Sequence, residues 1–402
     1  MHLFHYFLAV LIIVQAAGQQ SQSISWNSFK RRYDKQYIDA KEEQHRRIIF
    51  EDNVAKINRH NYEANLGLHT YTLKVNNFAD MTHEEFLRKM VRRSKTNIAT
   101  KVSKTFHRHT YLPPSNVVIP DAIDWTEKGA VLSLIETQGQ CASNYAFASK
   151  GALEGQHFLK TGKLVRLSAQ NIMDCSDKYG NEGCNGGTME ASYQYIKDNK
   201  GVDTEVSYPY EAMEGECRFN RTNVGATVTG FVDIPSGNET ALQIALATVG
   251  PIAVSVDASH SSFIFYSEGV YNYPNCSKTE LDHPFFLVGY DTLINGTFKQ
   301  DYYIAKNSWG DSWGLNGYIW MSRNNNNQCD HWPPNSPDLS PLDYCIWDEF
   351  VKVINWNKVT SKTTLIQELK KAVKKIRKDV VFESCNSWTN RLYRMAQHDG
   401  DY

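Results

Sequence analysis

The sequence carries almost no net charge: 43 lysines and arginines stand against 44 aspartates and glutamates, a formal balance of −1. Such a balance supplies no global pull toward nucleic acid or an anionic membrane. No internal repeat is present, which excludes repeat solenoids and propellers. Beyond residues 3–14, no apolar run is long enough to cross a bilayer. That one run, LFHYFLAVLIIV, is too short to span a membrane but has the length of a signal-peptide core. The usual basic start is missing, with only His2 and His5 in its place. Ala16, Ala17 and Gly18 follow as a cleavage site needs, and then abruptly polar sequence, QQSQS. The expectation is a cleaved signal over residues 1–18, a secreted or lysosomal/endosomal protein, and no membrane partner.

What is present points to several folded units. The chain has 402 residues, too many for one ordinary domain, and 41% of them are hydrophobic. Secretion permits disulfides. Six of the eight cysteines (Cys141, Cys175, Cys184, Cys217, Cys276 and Cys329) lie in one region, while Cys345 and Cys385 lie near the C-terminus. Six half-cystines allow fifteen pairings, and spacing alone does not choose among them. Four N-x-S/T sequons, at Asn220, Asn238, Asn275 and Asn295, fall in the same region and are candidate glycosylation sites.

Along the chain, residues 25–63 are charged and helical in pattern. Glu42, Arg46, Phe50, Asn53, Ile57 and Asn61 recur at spacings of three and four, on one helix face. TYTLKVNNFADMTHEEF then predicts a strand, a turn and a helix capped at Thr82, with Glu85 three residues on. Residues 91–116 are basic, then polar with Pro113 and Pro114, and predict an exposed linker open to proteolysis. From about Val117 the composition turns globular, and strand-like runs come late: PIAVSVDA, FFLVGYD, DYYIAKNSW and GYIWMS. After Asp330 the chain becomes proline-rich, then helix-like over SKTTLIQELKKAVKKIRKDVV.

A cysteine peptidase needs a thiol at a helix N-terminus, where the dipole stabilises thiolate. It needs a histidine to share the proton, a side chain to orient that histidine, and a donor for the oxyanion. The local signature is C-G-[SA]-C-[WY], with His and Asn far downstream. Here C-A-S-N-Y stands at Cys141–Tyr145, DHPFFLVGY carries His283 139 residues after Asn144 (283 − 144), and KNSWGDSWG carries Asn307. With QGQC, GALEG, LSAQNIMDCS, GNEGCNGG, SYPYEA and VGPIAVSVDA, the chain resembles the papain family of cysteine peptidases, close to its cathepsin L branch, from about residue 24 to 330.

The resemblance implies an α+β fold: a papain-like pair of domains, a helical left domain facing a β-barrel-like right domain, preceded by a helical propeptide domain. Glu42, Arg46, Ile49, Phe50, Asn53, Ile57 and Asn61 match the helical motif of the inhibitory propeptide. Asn76, Phe78 and Asp80 match its second motif, although Lys74 stands where glycine is common. The implied disulfides are Cys141–Cys184, Cys175–Cys217 and Cys276–Cys329. Gln138 is implied as oxyanion donor, His283 as general acid/base, and Asn307 as its orienter shielded by Trp309. Gly186 and Gly187 match the segment that pairs with the substrate backbone. The implied partners are peptide or protein substrates and inhibitors in the cleft and the chain's own propeptide. No metal and no cofactor is implied, and a monomer is expected.

The nucleophile does not carry over, because its position holds Asn144. A carboxamide has no proton to lose near neutral pH and a delocalised nitrogen lone pair, so it cannot form an acyl-enzyme. Cys141 is no substitute, lying outside the helix and implied in a disulfide. Tyr145 stands where tryptophan is usual, Ala142 where glycine is, and Pro284 follows His283 where glycine or alanine is. Proline fixes its own φ, restricts His283 and removes an N–H. Departures grouped at the site, beside intact structural blocks, favour real loss of catalysis.

The match also ends early. HWPPNSPDLSPLDYCIWDEF and VFESCNSWTNRL resemble the C-terminus of mariner-like transposases, and Asp343 matches the third metal ligand of that family's catalytic triad. One carboxylate cannot build a two-metal site, which excludes transposition. The basic cluster Lys370, Lys371, Lys374, Lys375, Arg377 and Lys378 reads as the solvated face of an amphipathic helix rather than a nucleic-acid contact. The expected organisation is a signal at 1–18, propeptide and linker at 19–116, peptidase domain at 117–330 and transposase-derived tail at 331–402. The function expected is a catalytically inactive, peptide- or inhibitor-binding homologue of the cathepsin L-like endopeptidases. Two other readings stay open here: an active endopeptidase whose recorded residue 144 is wrong, and a fusion protein that binds nucleic acid through its tail.

Overall fold

The computed structural model describes residues 24–91, 110–114, 117–235, 237–277 and 281–324, with isolated positions beyond. The leader, Cys329, Cys345, Cys385, Asp343 and nearly all of the tail lie outside the described residues.

The N-terminal unit begins with α1 (Trp26–Arg32) and α2 (Ala40–Asn65). The sequence pattern reads as one continuous helix, but the chain breaks between them. Asp34 takes a left-handed φ of 49°, and Asp39 caps α2 by accepting from the N–H groups of Lys41 and Glu42. The break lets α1 fold back, so that Phe29 packs its ring 4.7 Å from that of Phe50 on α2. A short strand, β1 (Tyr71–Leu73), and α3 (His83–Met90) complete the unit. The capping box is as expected: the Thr82 hydroxyl accepts from Glu85 N–H, and the Glu85 carboxylate accepts from Thr82 N–H.

The polar face of α2 explains its spacing. Arg46 pairs with Glu85 at 2.6 Å and donates to the carbonyl of Asp80. Asn53 donates to the carbonyls of Ala79 and Met81, and Asn61 bonds both the N–H and the carbonyl of Leu73. These side chains satisfy backbone groups at the end of β1 and in the turn before α3.

The larger unit runs through β2 (Ile123–Asp124), α4 (Asn144–Thr161), α5 (Ala169–Cys175), α6 (Met189–Asn199), β3 (Val202–Asp203), β4 (Val224–Ala226), β5 (Val232–Asp233), α7 (Glu239–Thr248), β6 (Ile252–Val256), α8 (Ser261–Ile264), β7 (Tyr266–Tyr271), β8 (His283–Asn295), β9 (Phe298–Lys306) and β10 (Tyr318–Ser322). Helices α4, α5 and α6 share one core, which includes Tyr145, Leu153, Ile172, Tyr193 and Ile196. Among the described residues, seven strands form a sheet in the order β1-β7-β10-β9-β8-β2, with β6 also on β8, and β3 pairs separately with β4. Its edge is closed by β1, where Tyr71 pairs with Gly269, so the N-terminal unit is joined to the sheet by main-chain bonds. Pro337 and Asp338 of the tail pair with Asp233 and Val232 of β5.

Helix α4 touches both layers, and every residue from Asn144 to Gly155 is buried. The GALEG block makes this possible. A Cβ on Gly151 would sit 2.5 Å from the Phe286 ring of β8, and one on Gly155 would sit 2.8 Å from Pro251. Gly151→Ala is therefore expected to force the Phe286 ring aside and cost about 1–3 kcal/mol in denaturant melts. Two disulfides tie the helical layer, Cys141–Cys184 and Cys175–Cys217, both as the resemblance implied. Cys276 is disulfide-bonded as well, and its expected partner, Cys329, lies outside the described residues.

Candidate active site

The start of α4 and the start of β8 bring Asn144 and His283 together across the boundary between the layers. The Ser143 hydroxyl makes no capping bond to α4 and meets the Tyr210 hydroxyl at 2.6 Å instead. Asn144 is the first helical residue. Its Oδ1 accepts from Tyr145 N–H at 2.9 Å, which turns Nδ2 toward His283 Nδ1, also at 2.9 Å.

His283 is fully buried, and its Nε2 lies 2.8 Å from Asn307 Oδ1. Asn307 Oδ1 also accepts from Ser308 N–H, so it faces the ring as an acceptor. The proton of the imidazole therefore sits on Nε2, and Nδ1 is bare to accept from Asn144. The neutral ring is satisfied at both nitrogens with no second proton. Burial pushes its pKa down to about 4, against a smaller opposing effect of the Asn307 bond. Between pH 6.5 and 4 the unfolded chain binds a proton here that the folded chain does not. Stability is then lost as the pH falls through that window, by at most about 3 kcal/mol. His283→Gln is expected to flatten that part of the stability–pH curve measured by denaturant melts.

Trp309 lies over the His283–Asn307 pair, with ring centroids 4.5 Å from His283. From the N-terminal unit, Phe78 and Phe86 set their rings edge-on to Trp309 at 5.8 and 5.1 Å. Pro284 does not displace the histidine. It is buried in β8 opposite Ser255 of β6, and His283 keeps its register opposite Val256.

Gln138 is held from both ends of its amide. Its Oε1 accepts from Ser308 Oγ at 2.7 Å, which aims Nε2 at the carbonyls of Cys141 (2.9 Å) and Met90 (3.0 Å). Met90 is the last residue of α3, so the amide that the resemblance assigns to an oxyanion instead meets a carbonyl of the N-terminal unit. Gly187 abuts the Tyr145 ring, and a Cβ there would fall 2.3 Å from Asn181 Oδ1. The Gly186 carbonyl accepts from Glu182 N–H. The four sequon asparagines, Asn220, Asn238, Asn275 and Asn295, are exposed.

Behind Gln138 lies a buried charge cluster that sequence reasoning missed. Lys150 on α4 is 1% exposed and pairs with Glu136 at 2.6 Å and Glu154 at 3.1 Å. Arg166 adds a second cation to Glu136 at 2.8 Å. Lys306, just before Asn307, donates to the carbonyls of Leu132 and Leu134. Two facing carboxylates keep Lys150 protonated against its burial, and the lysine and arginine hold Glu136 below the usual carboxylate range. In the sequence, Lys150 and Glu154 are an i, i+4 pair that reads as a solvated helix face, but in the fold they meet Glu136 and the N–H of Leu167. Met90 was missed because it contributes a carbonyl, which has no side-chain signature.

Comparison with known proteins agrees with this geometry. The papain family cysteine protease description matches residues 119–332, and the cathepsin propeptide inhibitor domain matches residues 26–86. A cathepsin L-like peptidase of Aedes aegypti is 48% identical over 330 residues, covering 80% of this chain and 96% of that protein. Cathepsin L of Sarcophaga peregrina is 48% identical over 329 residues, with the same coverage. The solved structure of digestive procathepsin L 3 from the larval midgut of Tenebrio molitor superposes with a TM-score of 0.69 at 40% identity, covering 78% of this chain and 98% of that one.

Proposed function

This chain belongs to the papain family of cysteine proteases, as a cathepsin L-like member with a cathepsin-type inhibitory propeptide, and from that premise we propose that it binds peptide in its cleft without cutting it. One observation carries the reading. At the position of the nucleophile, Asn144 donates its carboxamide N–H to His283 Nδ1, the nitrogen that would have to take a thiol's proton. An imidazole that already accepts there has no acidic partner to deprotonate, and the amide offers no lone pair for acyl transfer. The depressed pKa of His283 fits the same state, since no thiolate is present to stabilise an imidazolium.

The rest of the machinery suits binding. Gln138 presents an N–H to a carbonyl, and Trp309 packs on a His283 that Asn307 holds, which supports a site that can grip a peptide carbonyl. The organisation that accompanies this reading is a signal at 1–18, a prosegment at 19–116, the peptidase-like domain at 117–330 and the transposase-like tail at 331–402. A leader and four exposed sequons support passage through the secretory pathway. Among the described residues no helix is long and apolar enough to cross a membrane.

A peptidyl epoxide that alkylates nucleophilic thiols tests the reading. After the prosegment is removed by an added protease, intact-mass measurement is expected to show no adduct. An adduct on residue 144 itself, with Cys141 still in its disulfide, would overturn it.

A further inference from the structure

The loss of the thiol has a counterpart at the same atom position. We propose that Asn144 is a ligand-binding residue, which together with Gln138 forms a two-donor clamp on an uncut main-chain carbonyl, and that its resident ligand is Met90 at the end of the chain's own α3. The proposal rests on the reading that the cleft binds without cutting.

Asn144 is 4% exposed, and each hydrogen-bonding group of its carboxamide is used. Its Oδ1 accepts from Tyr145 N–H, one N–H goes to His283 Nδ1, and the other goes to the Met90 carbonyl at 3.4 Å. Gln138 reaches the same carbonyl oxygen at 3.0 Å. The opposite orientation of the amide would set Oδ1 against the Met90 oxygen and NH2 against Tyr145 N–H, two repulsive contacts. A cysteine has one weak donor and cannot serve histidine and carbonyl at once.

The ligand is also suited to the clamp. The last carbonyls of a helix have no intrahelical partner and carry the negative end of its dipole. Met90 is the last residue of α3, and Asn144 is the first of α4, whose N-terminus is the positive end. Asn144 therefore caps a helix C-terminus from a helix N-terminus, with Gln138 of the preceding segment as the second donor. The same unit is anchored nearby: Asn76 donates to the Ile264 carbonyl at 2.7 Å, Lys74 to the Gly314 carbonyl at 2.7 Å, and Phe86 packs on Trp309. An occupant held this way, in a site that cannot hydrolyse the chain leading away from it, stays in place until another agent removes it.

Hydrogen exchange on the full chain tests the clamp, because local opening of α3 reports on what holds its end. Asn144→Ala removes both side-chain donors. Asn144→Asp keeps the size and the acceptor for Tyr145 N–H but turns an oxygen toward Met90. Both variants are expected to speed exchange of the α3 amides by about tenfold or more, while amides of β8 and β9 keep their protection. Should Asn144→Asp disturb β8 and β9 as well, Asn144→Ala decides. Unchanged α3 protection in Asn144→Ala would overturn the clamp. The underlying reading fails separately, by turnover in the unaltered chain, and the two failures are distinguishable.

Discussion

Asn144→Cys is expected to convert the chain into a self-processing cysteine peptidase. Under acidic, reducing conditions the variant shortens from its N-terminus, whereas the parent chain and Asn144→Ala keep their length. In another hydrolase class the nucleophile is worth about a millionfold in turnover, so the gain has room to be the largest effect any single substitution produces here. The expectation rests on what is already in place. His283 sits at hydrogen-bond distance from residue 144, Asn307 orients it at 2.8 Å, and Gln138 is aimed by Ser308. Proline after the histidine is absorbed by the β6–β8 pairing and leaves the ring where the chemistry needs it. A thiolate beside Nδ1 would stabilise the imidazolium, so the pKa of His283, now about 4, is expected to rise in the variant. Nuclear magnetic resonance of the ring follows that shift. Restored processing with an unshifted histidine would mean that the thiol acts without the pair.

The second large effect concerns stability. Lys150→Met leaves Glu154 buried beside Glu136 with only the Leu167 N–H as partner. Removing one member of a buried ion pair costs about 3–5 kcal/mol, because the remaining charge is desolvated and unpaired. The sign of the pH dependence follows from Glu154. Burial already raises its pKa, and loss of the lysine raises it further. A carboxyl with a raised folded pKa binds more protons folded than unfolded, so its contribution is lost as the pH rises above the unfolded value. The deficit of Lys150→Met is therefore expected to be larger at pH 8 than at pH 5 in denaturant melts. Lys150→Met combined with Glu154→Gln keeps the acceptor for Leu167 N–H, removes the stranded charge and is expected to recover part of the loss. Equal deficits at both pH values, with no recovery in the double variant, would place the cost in packing and not in charge.

Much of this was readable from residue spacing, and the parts that were not share a physical cause. The face formed by Arg46, Asn53 and Asn61 was visible because a helix repeats at three and four residues: Arg46 and Asn53 bond the segment after β1, and Asn61 bonds the last residue of β1. The capping box at Thr82 and Glu85 is local in sequence and is local in the fold. The break between α1 and α2 was not visible, because a left-handed Asp34 and a capping Asp39 are both compatible with a helical hydrophobic pattern. Gln138, His283, Asn307 and Trp309 were named from their motifs, and the fold brings them together with Ser308 between them. What the carboxamide of Asn144 does was not found there, because it depends on a carbonyl 54 residues earlier in the chain. The Lys150 cluster escaped for the same reason: its partner Glu136 and that residue's second cation, Arg166, lie outside α4 in the chain.

The most direct test of the central claim is peptide turnover by the unaltered chain. Its prosegment is removed by an added protease, that protease is then inactivated with an inhibitor that spares thiols, and a fluorogenic peptide is supplied under acidic, reducing conditions beside Asn144→Cys treated identically. The predicted result is turnover by the variant and none by the parent chain. Turnover by the parent chain that a thiol-directed epoxide abolishes would contradict the account.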